Sequence, residues 1–155
     1  MKYRTNRLLN GLLKATCALV LTAAATTGFA ADTPTHLEGV KVITADQAKK
    51  SVDGGVQIID ARVANEYVES HIKGAKNVPY KEKSAKDAKF DPKQDSFDLA
   101  KLPADKSAAV IFYCNGPECW KSYKASKVAL DAGYKNVQWL RGGIPEWKAR
   151  GYPVE

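Results

Sequence analysis

The chain has 155 residues, about one domain's worth, of which 45% are hydrophobic, 26% charged and 9% aromatic. That composition excludes a disordered tail, a collagen-like repeat and a disulfide-dense miniprotein. The net charge of +7 resembles a nucleic-acid binder's, but four of the 24 basic residues (Lys2, Arg4, Arg7, Lys14) and none of the 17 acidic ones fall in the first thirty positions, leaving +3 for the rest. With no concentrated basic stripe and no arginine–aromatic interleaving, no nucleic-acid partner is expected.

Residues 1–30 read as an export signal. A basic start precedes the apolar run Cys17-Ala18-Leu19-Val20-Leu21-Thr22-Ala23-Ala24-Ala25, and Gly28-Phe29-Ala30 offers the small residues of a cleavage site. The cut is placed near Ala30, giving a periplasmic or secreted protein with no stable membrane insertion after cleavage. A spanning helix needs about 20 consecutive apolar residues, and Thr22, Thr26 and Thr27 interrupt this stretch. Cys17 lacks the apolar neighbour of a lipobox. Two cysteines then remain, Cys114 and Cys119, in a compartment where thiols tend to be oxidised.

Residues 31–37 are a polar lead-in containing Pro34, expected to be loose and flexible, and 38–155 form the domain. Val40–Ile43 is a short strand. Thr44 and Gln47 fit a capping box for a helix from Ala45 to Val52, and Asp53-Gly54-Gly55 ends it. Val56–Asp60 is an apolar run of the kind that forms a buried parallel strand. A short helix over Ala64–Ser70 and a strand over Ala75–Tyr80 follow. Residues 81–106, rich in lysine and aspartate with Pro92 and Pro103, read as an irregular excursion, and its charges as a solvated face. It is also a place where partner specificity can reside. Ala108–Tyr113 is the strongest strand, a helix runs from Cys119 to Ala132 with Gly133 as its stop, Val137–Leu140 is the last strand, and Ile144–Arg150 the last helix.

Strands alternating with helices predict parallel pairing through helical crossovers, an α/β sandwich. Ligands in such folds bind beyond the carboxyl ends of the strands, where the turn Cys114-Asn115-Gly116-Pro117-Glu118-Cys119 lies. A cysteine between a strand end and a helix start is placed for reactivity, because loop N–H groups and the helix N-terminus lower a thiol's pKa and favour anions. His36 and His71 are isolated and no carboxylate pair has ligand spacing beside them, so neither a metal nor a cofactor is expected. Gly142-Gly143 reads as a turn.

Three ordered segments carry a resemblance. Tyr67-Val68-Glu69-Ser70-His71-Ile72-Lys73-Gly74-Ala75-Lys76-Asn77-Val78 resembles the first signature of the rhodanese family, with Lys73 where proline is usual. Trp139-Leu140-Arg141-Gly142-Gly143-Ile144-Pro145-Glu146-Trp147 resembles its carboxy-terminal signature, and Asp60-Ala61-Arg62 with Glu66 its Asp-x-Arg…Glu segment. The resemblance implies a single rhodanese-like domain, a three-layer α/β/α sandwich around a mainly parallel sheet. It further implies a sulfurtransferase whose catalytic cysteine, here Cys114, takes sulfane sulfur from a small donor as a persulfide and passes it to a thiol or protein acceptor. Glu66, His71 and Gly74 would be scaffold, and Asp60 and Arg62 an internal ion pair.

The loop departs from the family's usual pattern. Pro117 stands at the fourth place, usually glycine, and removes an N–H. Cys119 stands at the sixth, usually basic, and Trp120 follows it. Thiosulfate loses its expected charge partner, and phosphatase chemistry loses its arginine. The Cys…Cys-Trp pattern also resembles a periplasmic rhodanese-like group with a Cys-x-x-Cys-Trp motif, associated with quinoprotein catabolism, although four residues separate the cysteines here. Two functions stay open: sulfur transfer through Cys114 with Cys119 as resolving thiol, or a dithiol redox or non-catalytic binding module using a Cys114–Cys119 disulfide. Cys119 also reads as a core-facing residue at the helix start, and Trp120 as core packing.

Overall fold

The computed structural model describes residues 31–155, so the export signal and its cleavage site lie outside the described residues. Within them no helix is long and apolar enough to cross a membrane. The elements follow in chain order: β1 (Lys41–Ile43), α1 (Ala45–Asp53), β2 (Gln57–Asp60), α2 (Ala64–Glu69), β3 (Lys76–Asn77), β4 (Ala109–Tyr113), α3 (Trp120–Asp131), β5 (Asn136–Leu140) and α4 (Gly143–Ala149). The five strands form one all-parallel sheet in the order β1-β5-β4-β2-β3.

β4 is central, and its alternation divides the core. Val110 and Phe112 point into one apolar layer with Tyr123 and Trp139, while Ile111 and Tyr113 point into the other with Ile58, Leu140 and Trp147. A strand covered on both faces must be apolar throughout, which is why this run stands out in the sequence. α3 covers the first face, and α1 and α4 the second, completing three layers. The capping box of α1 is present in both directions between Thr44 and Gln47, and Glu146 of α4 adds a carboxylate that accepts from Ala45 N–H at 2.9 Å.

Three expectations are corrected. The strand expected over Ala75–Tyr80 is only two residues long, because Lys76–Asn77 is the sheet edge and Pro79 offers no N–H to extend the ladder. The helix expected from Cys119 begins at Trp120, with Cys119 as its N-cap residue.

The third correction concerns the charged excursion, which is not simply a solvated face. It contains two 3-10 turns, Pro92–Gln94 and Leu99–Lys101, and part of it is buried. Asp95 accepts from Lys83 N–H at 2.6 Å, from Ser84 N–H at 2.7 Å, from Ser84 Oγ–H at 2.6 Å and from Tyr80 O–H at 2.8 Å. Lys124 of α3, 0% exposed, donates to Ser84 Oγ at 2.8 Å and lies 2.8 Å from Glu82 and 3.7 Å from Asp95.

Burial alone would raise the pKa of Asp95, but the hydrogen bonds from Ser84, Lys83 and Tyr80 outweigh it and bring the carboxyl from 3.8 to about 2. A depressed carboxylate stabilises the fold above its unfolded pKa, and that stability is lost as pH falls from about 4 through about 2. Asp95→Asn is therefore expected to cost about 2 kcal/mol at neutral pH. In urea unfolding followed against pH, the gap between variant and parent should close below pH 4; a gap independent of pH would contradict the assignment.

Candidate active site

β4 delivers Cys114 to the carboxyl edge of the sheet, and the next five residues turn into α3. Cys114 is 0% exposed. Its carbonyl accepts from Ile144 N–H at 3.0 Å, and Cys119 N–H closes the turn onto Gly116 O at 3.1 Å. Gly116 has φ +119°, a backbone region that glycine adopts without strain. Cys114 and Cys119 are joined by a disulfide with their Cα atoms 6.2 Å apart, inside the normal bridging range. Cys119 is half-buried at the head of α3 and its side chain makes no capping hydrogen bond.

The N–H groups of Asn115, Gly116 and Glu118 find no acceptor among the described residues. With the first turn of α3 they make a set of donors suited to an anion, and Pro117 subtracts one from it. The β5–α4 turn presses on the loop from behind: Gly143 has φ +61°, and a Cβ there would meet the backbone of Cys114 and, at 2.6 Å, the nitrogen of Gly116.

Beside the loop lies the buried pair Asp60–Arg62. Arg62 donates from Nη2 to Asp60 at 2.6 Å and from Nε at 3.0 Å, and its Nη2 also reaches Ser70 O at 2.7 Å. Burial works against the guanidinium charge, yet hydrogen bonding and attraction from Asp60 raise its pKa on balance. Tyr113 O–H donates to Asp60 at 2.6 Å, and burial first, then the Asp60 charge, drives the phenol upward. Arg62 Nη1 stands 3.5 Å from Asn115 Oδ1, and Asn115 Nδ2 donates to Glu66. The Asp-x-Arg…Glu segment thus touches the cysteine loop through Asn115. His71 stacks on Tyr67 at 3.7 Å, donates from Nδ1 to Tyr67 O at 2.8 Å and sits 3.4 Å from Glu155, away from the cysteines' own contacts. Gly74 has φ +80° and its N–H donates to Glu155 at 2.9 Å.

On the other side the lead-in expected to be loose is docked. Thr33 is buried, and its N–H and hydroxyl both donate to Pro117 O, at 2.8 and 2.7 Å. Trp120, 4% exposed and edge-on to Tyr123, donates from Nε1 to Ala31 O at 2.9 Å. Arg141 donates to Thr33 O at 2.7 Å and to Pro34 O at 3.1 Å. A proline carbonyl and an indole N–H left over by the loop are satisfied this way, which polar composition alone does not reveal. Thr33, Arg141 and Lys124 carry no role legible in the sequence and Gly143 only that of a turn; of the four, Arg141 and Gly143 stand inside a recognised motif.

The comparisons agree on the fold. The family described as "Rhodanese-like domain" matches residues 44–150. An HTH-type transcriptional regulator of Mycobacterium tuberculosis is 31% identical over 114 residues, covering 74% of this chain and 44% of that protein, so the chain spans under half the regulator's length. Thiosulfate sulfurtransferase 18 of Arabidopsis thaliana is 29% identical over 126 residues, covering 77% of this chain and 87% of that protein. Among solved structures, the Alr3790 protein from Anabaena superposes with a TM-score of 0.54 at 27% identity, covering 73% of this chain and 90% of that one. With its three-layer parallel sheet, its cysteine loop beyond β4 and a family match over residues 44–150, the chain belongs to the rhodanese-like domain family.

Proposed function

We propose that this protein is an exported sulfurtransferase that carries sulfane sulfur on Cys114, and that the Cys114–Cys119 disulfide is its oxidised form. The observation that carries this is the placement of Cys114 at the end of the central strand, in a loop with three N–H groups that have no acceptor among the described residues. Those donors suit the negative charge of a persulfide. The Cys114 thiolate attacks the outer sulfur of a donor such as thiosulfate; the sulfur–sulfur bond of the donor breaks and sulfite leaves. A thiol or protein nucleophile then takes the outer sulfur and restores the thiolate. When no acceptor arrives, the Cys119 thiolate attacks Cys114 Sγ, hydrosulfide leaves, and the disulfide forms. The cell compartment follows from the export signal, and the link to quinoprotein catabolism rests on the Cys…Cys-Trp pattern.

The disulfide itself favours a second reading, a dithiol redox module on a rhodanese frame. Intact-mass spectrometry separates the two. The reduced protein, freed of reductant without oxygen, is exposed to thiosulfate or polysulfide. Gain of one sulfur atom is expected, lost in Cys114→Ser and longer-lived in Cys119→Ser. Loss of two hydrogens in the parent, with no sulfur gained by Cys119→Ser either, would leave the redox reading standing alone.

A further inference from the structure

The disulfide is asymmetric in its access to solvent. Cys114 is 0% exposed, whereas Cys119 is half-buried and lines a cleft of about 290 Å3 with Trp120, Lys121, Lys86 and Glu118. Among the described residues, Cys114 lines neither this cleft nor the two beside it. A thiolate must approach along the sulfur–sulfur axis from behind the sulfur it attacks, so access decides which sulfur reacts. The cleft continues into a second one of about 380 Å3, through Glu82 and Lys121 that line both. The floor of this second cleft is apolar, made by Val63, Ala64, Pro79 and Tyr80, and Val63 is 45% exposed.

Charge along this groove is one-sided. Glu82 is paired with the buried Lys124, while Lys81, Lys86 and Lys121 make no ion pair among the described residues, and of the carboxylates only Glu118 stands against them. We infer that the oxidised protein is a thiol–disulfide exchange partner for another protein, opened at Cys119 by a cysteine lying in an acidic segment with an apolar residue beside it. The partner's thiolate bonds to Cys119 Sγ, the Cys114–Cys119 bond breaks, and the electron pair leaves on Cys114 as a thiolate beside the unpaired loop N–H groups. A second partner thiolate then attacks the partner sulfur of the mixed disulfide and releases Cys119 as a thiolate. The partner dithiol has become a disulfide, and both electrons now reside on this protein. The cysteine pair so reset is the one the sulfurtransferase cycle requires, yet the exchange itself needs no sulfane donor.

Two synthetic single-cysteine peptides test this, one with glutamates and a leucine around the cysteine, the other with lysines and a leucine. Each is mixed with the oxidised full protein and quenched in acid, and its rate is divided by its rate on cystine to remove differences in thiol reactivity. Cleavage after Glu118 then separates the two cysteines for mass mapping. The adduct is expected on Cys119, with the acidic peptide ~10-fold faster at low salt and the advantage lost at ~0.5 M salt. Lys86→Glu with Lys121→Glu should reverse the preference without moving the adduct. An adduct on Cys114, or equal normalised rates for the two peptides, overturns the proposal. Neither result bears on whether reduced Cys114 accepts a sulfur atom, so failure here is distinguishable from failure of the sulfurtransferase reading.

Discussion

Gly143→Ala is expected to abolish both the Cys114–Cys119 disulfide and sulfur loading on Cys114, and to destabilise the fold by more than about 2 kcal/mol. Two causes add. The backbone at φ +61° is one that alanine adopts only with strain, and the new methyl group would overlap backbone atoms of the cysteine loop: the Cys114 carbonyl, its carbon at 2.9 Å and Gly116 N at 2.6 Å. No flexible side chain is available to yield, so the loop itself must move and the Ile144 N–H to Cys114 O bond must break. Gly151→Ala is the control. Its φ is +71° with nothing within 4 Å of the added methyl, so it should show the strain alone, about 1 kcal/mol, with the disulfide and loading intact. Urea unfolding and intact-mass analysis of both variants would decide. A Gly143→Ala protein that still formed the disulfide would show that the β5–α4 turn does not shape the loop.

Lys124→Met should be the most damaging single change outside the cysteine loop, at about 3–5 kcal/mol. The ammonium is 0% exposed and is held by Ser84, Glu82 and Asp95, with the Phe90 ring 5.1 Å away. Its removal leaves two mostly buried carboxylates facing one another across the excursion with no counter-charge. The paired variant Lys124→Met with Glu82→Gln removes one of those charges and should recover part of the loss, a coupling that a double-mutant cycle measures directly. Because Glu82 also lines the cleft beside Cys119, the single variant should let thiols reach the disulfide by altered routes. Additive effects in the cycle would mean that the two residues do not act as a pair.

These two residues mark the boundary of what the sequence makes legible. The central strand is visible because burial on both faces demands an unbroken apolar run, and the start of α1 because Thr44 and Gln47 satisfy each other locally. Cys114 is identifiable for a similar reason: its strand, turn and helix are contiguous in the chain. Lys124 is not, since a lysine on an amphipathic helix reads as solvated until the excursion that folds over it is seen. Glu82 and Asp95 likewise pass as surface charges among neighbouring lysines, although both form ion pairs with the buried Lys124, on a helix far along the chain. The docking of Thr33 is more remote still, at a separation of 84 residues. Periodicity and local motifs reveal what each element does to itself, but not which loop carbonyl another segment will satisfy.

The docked lead-in has a practical consequence for where this domain begins. The family match starts at residue 44, yet Ala31, Thr33 and Pro34 supply partners to Trp120, Pro117 and Arg141 around the cysteines. A boundary drawn from family similarity therefore cuts away part of the scaffold of the reactive loop while sparing every signature residue. A fragment trimmed to that boundary keeps four of the five strands and both cysteines, but it loses the edge strand β1 and leaves the Pro117 carbonyl and the Trp120 indole to water. Proteolysis just before Leu37 is therefore expected to strip the partners of the Pro117 carbonyl and the Trp120 indole, on either side of Cys119, while removing no residue of the family signatures.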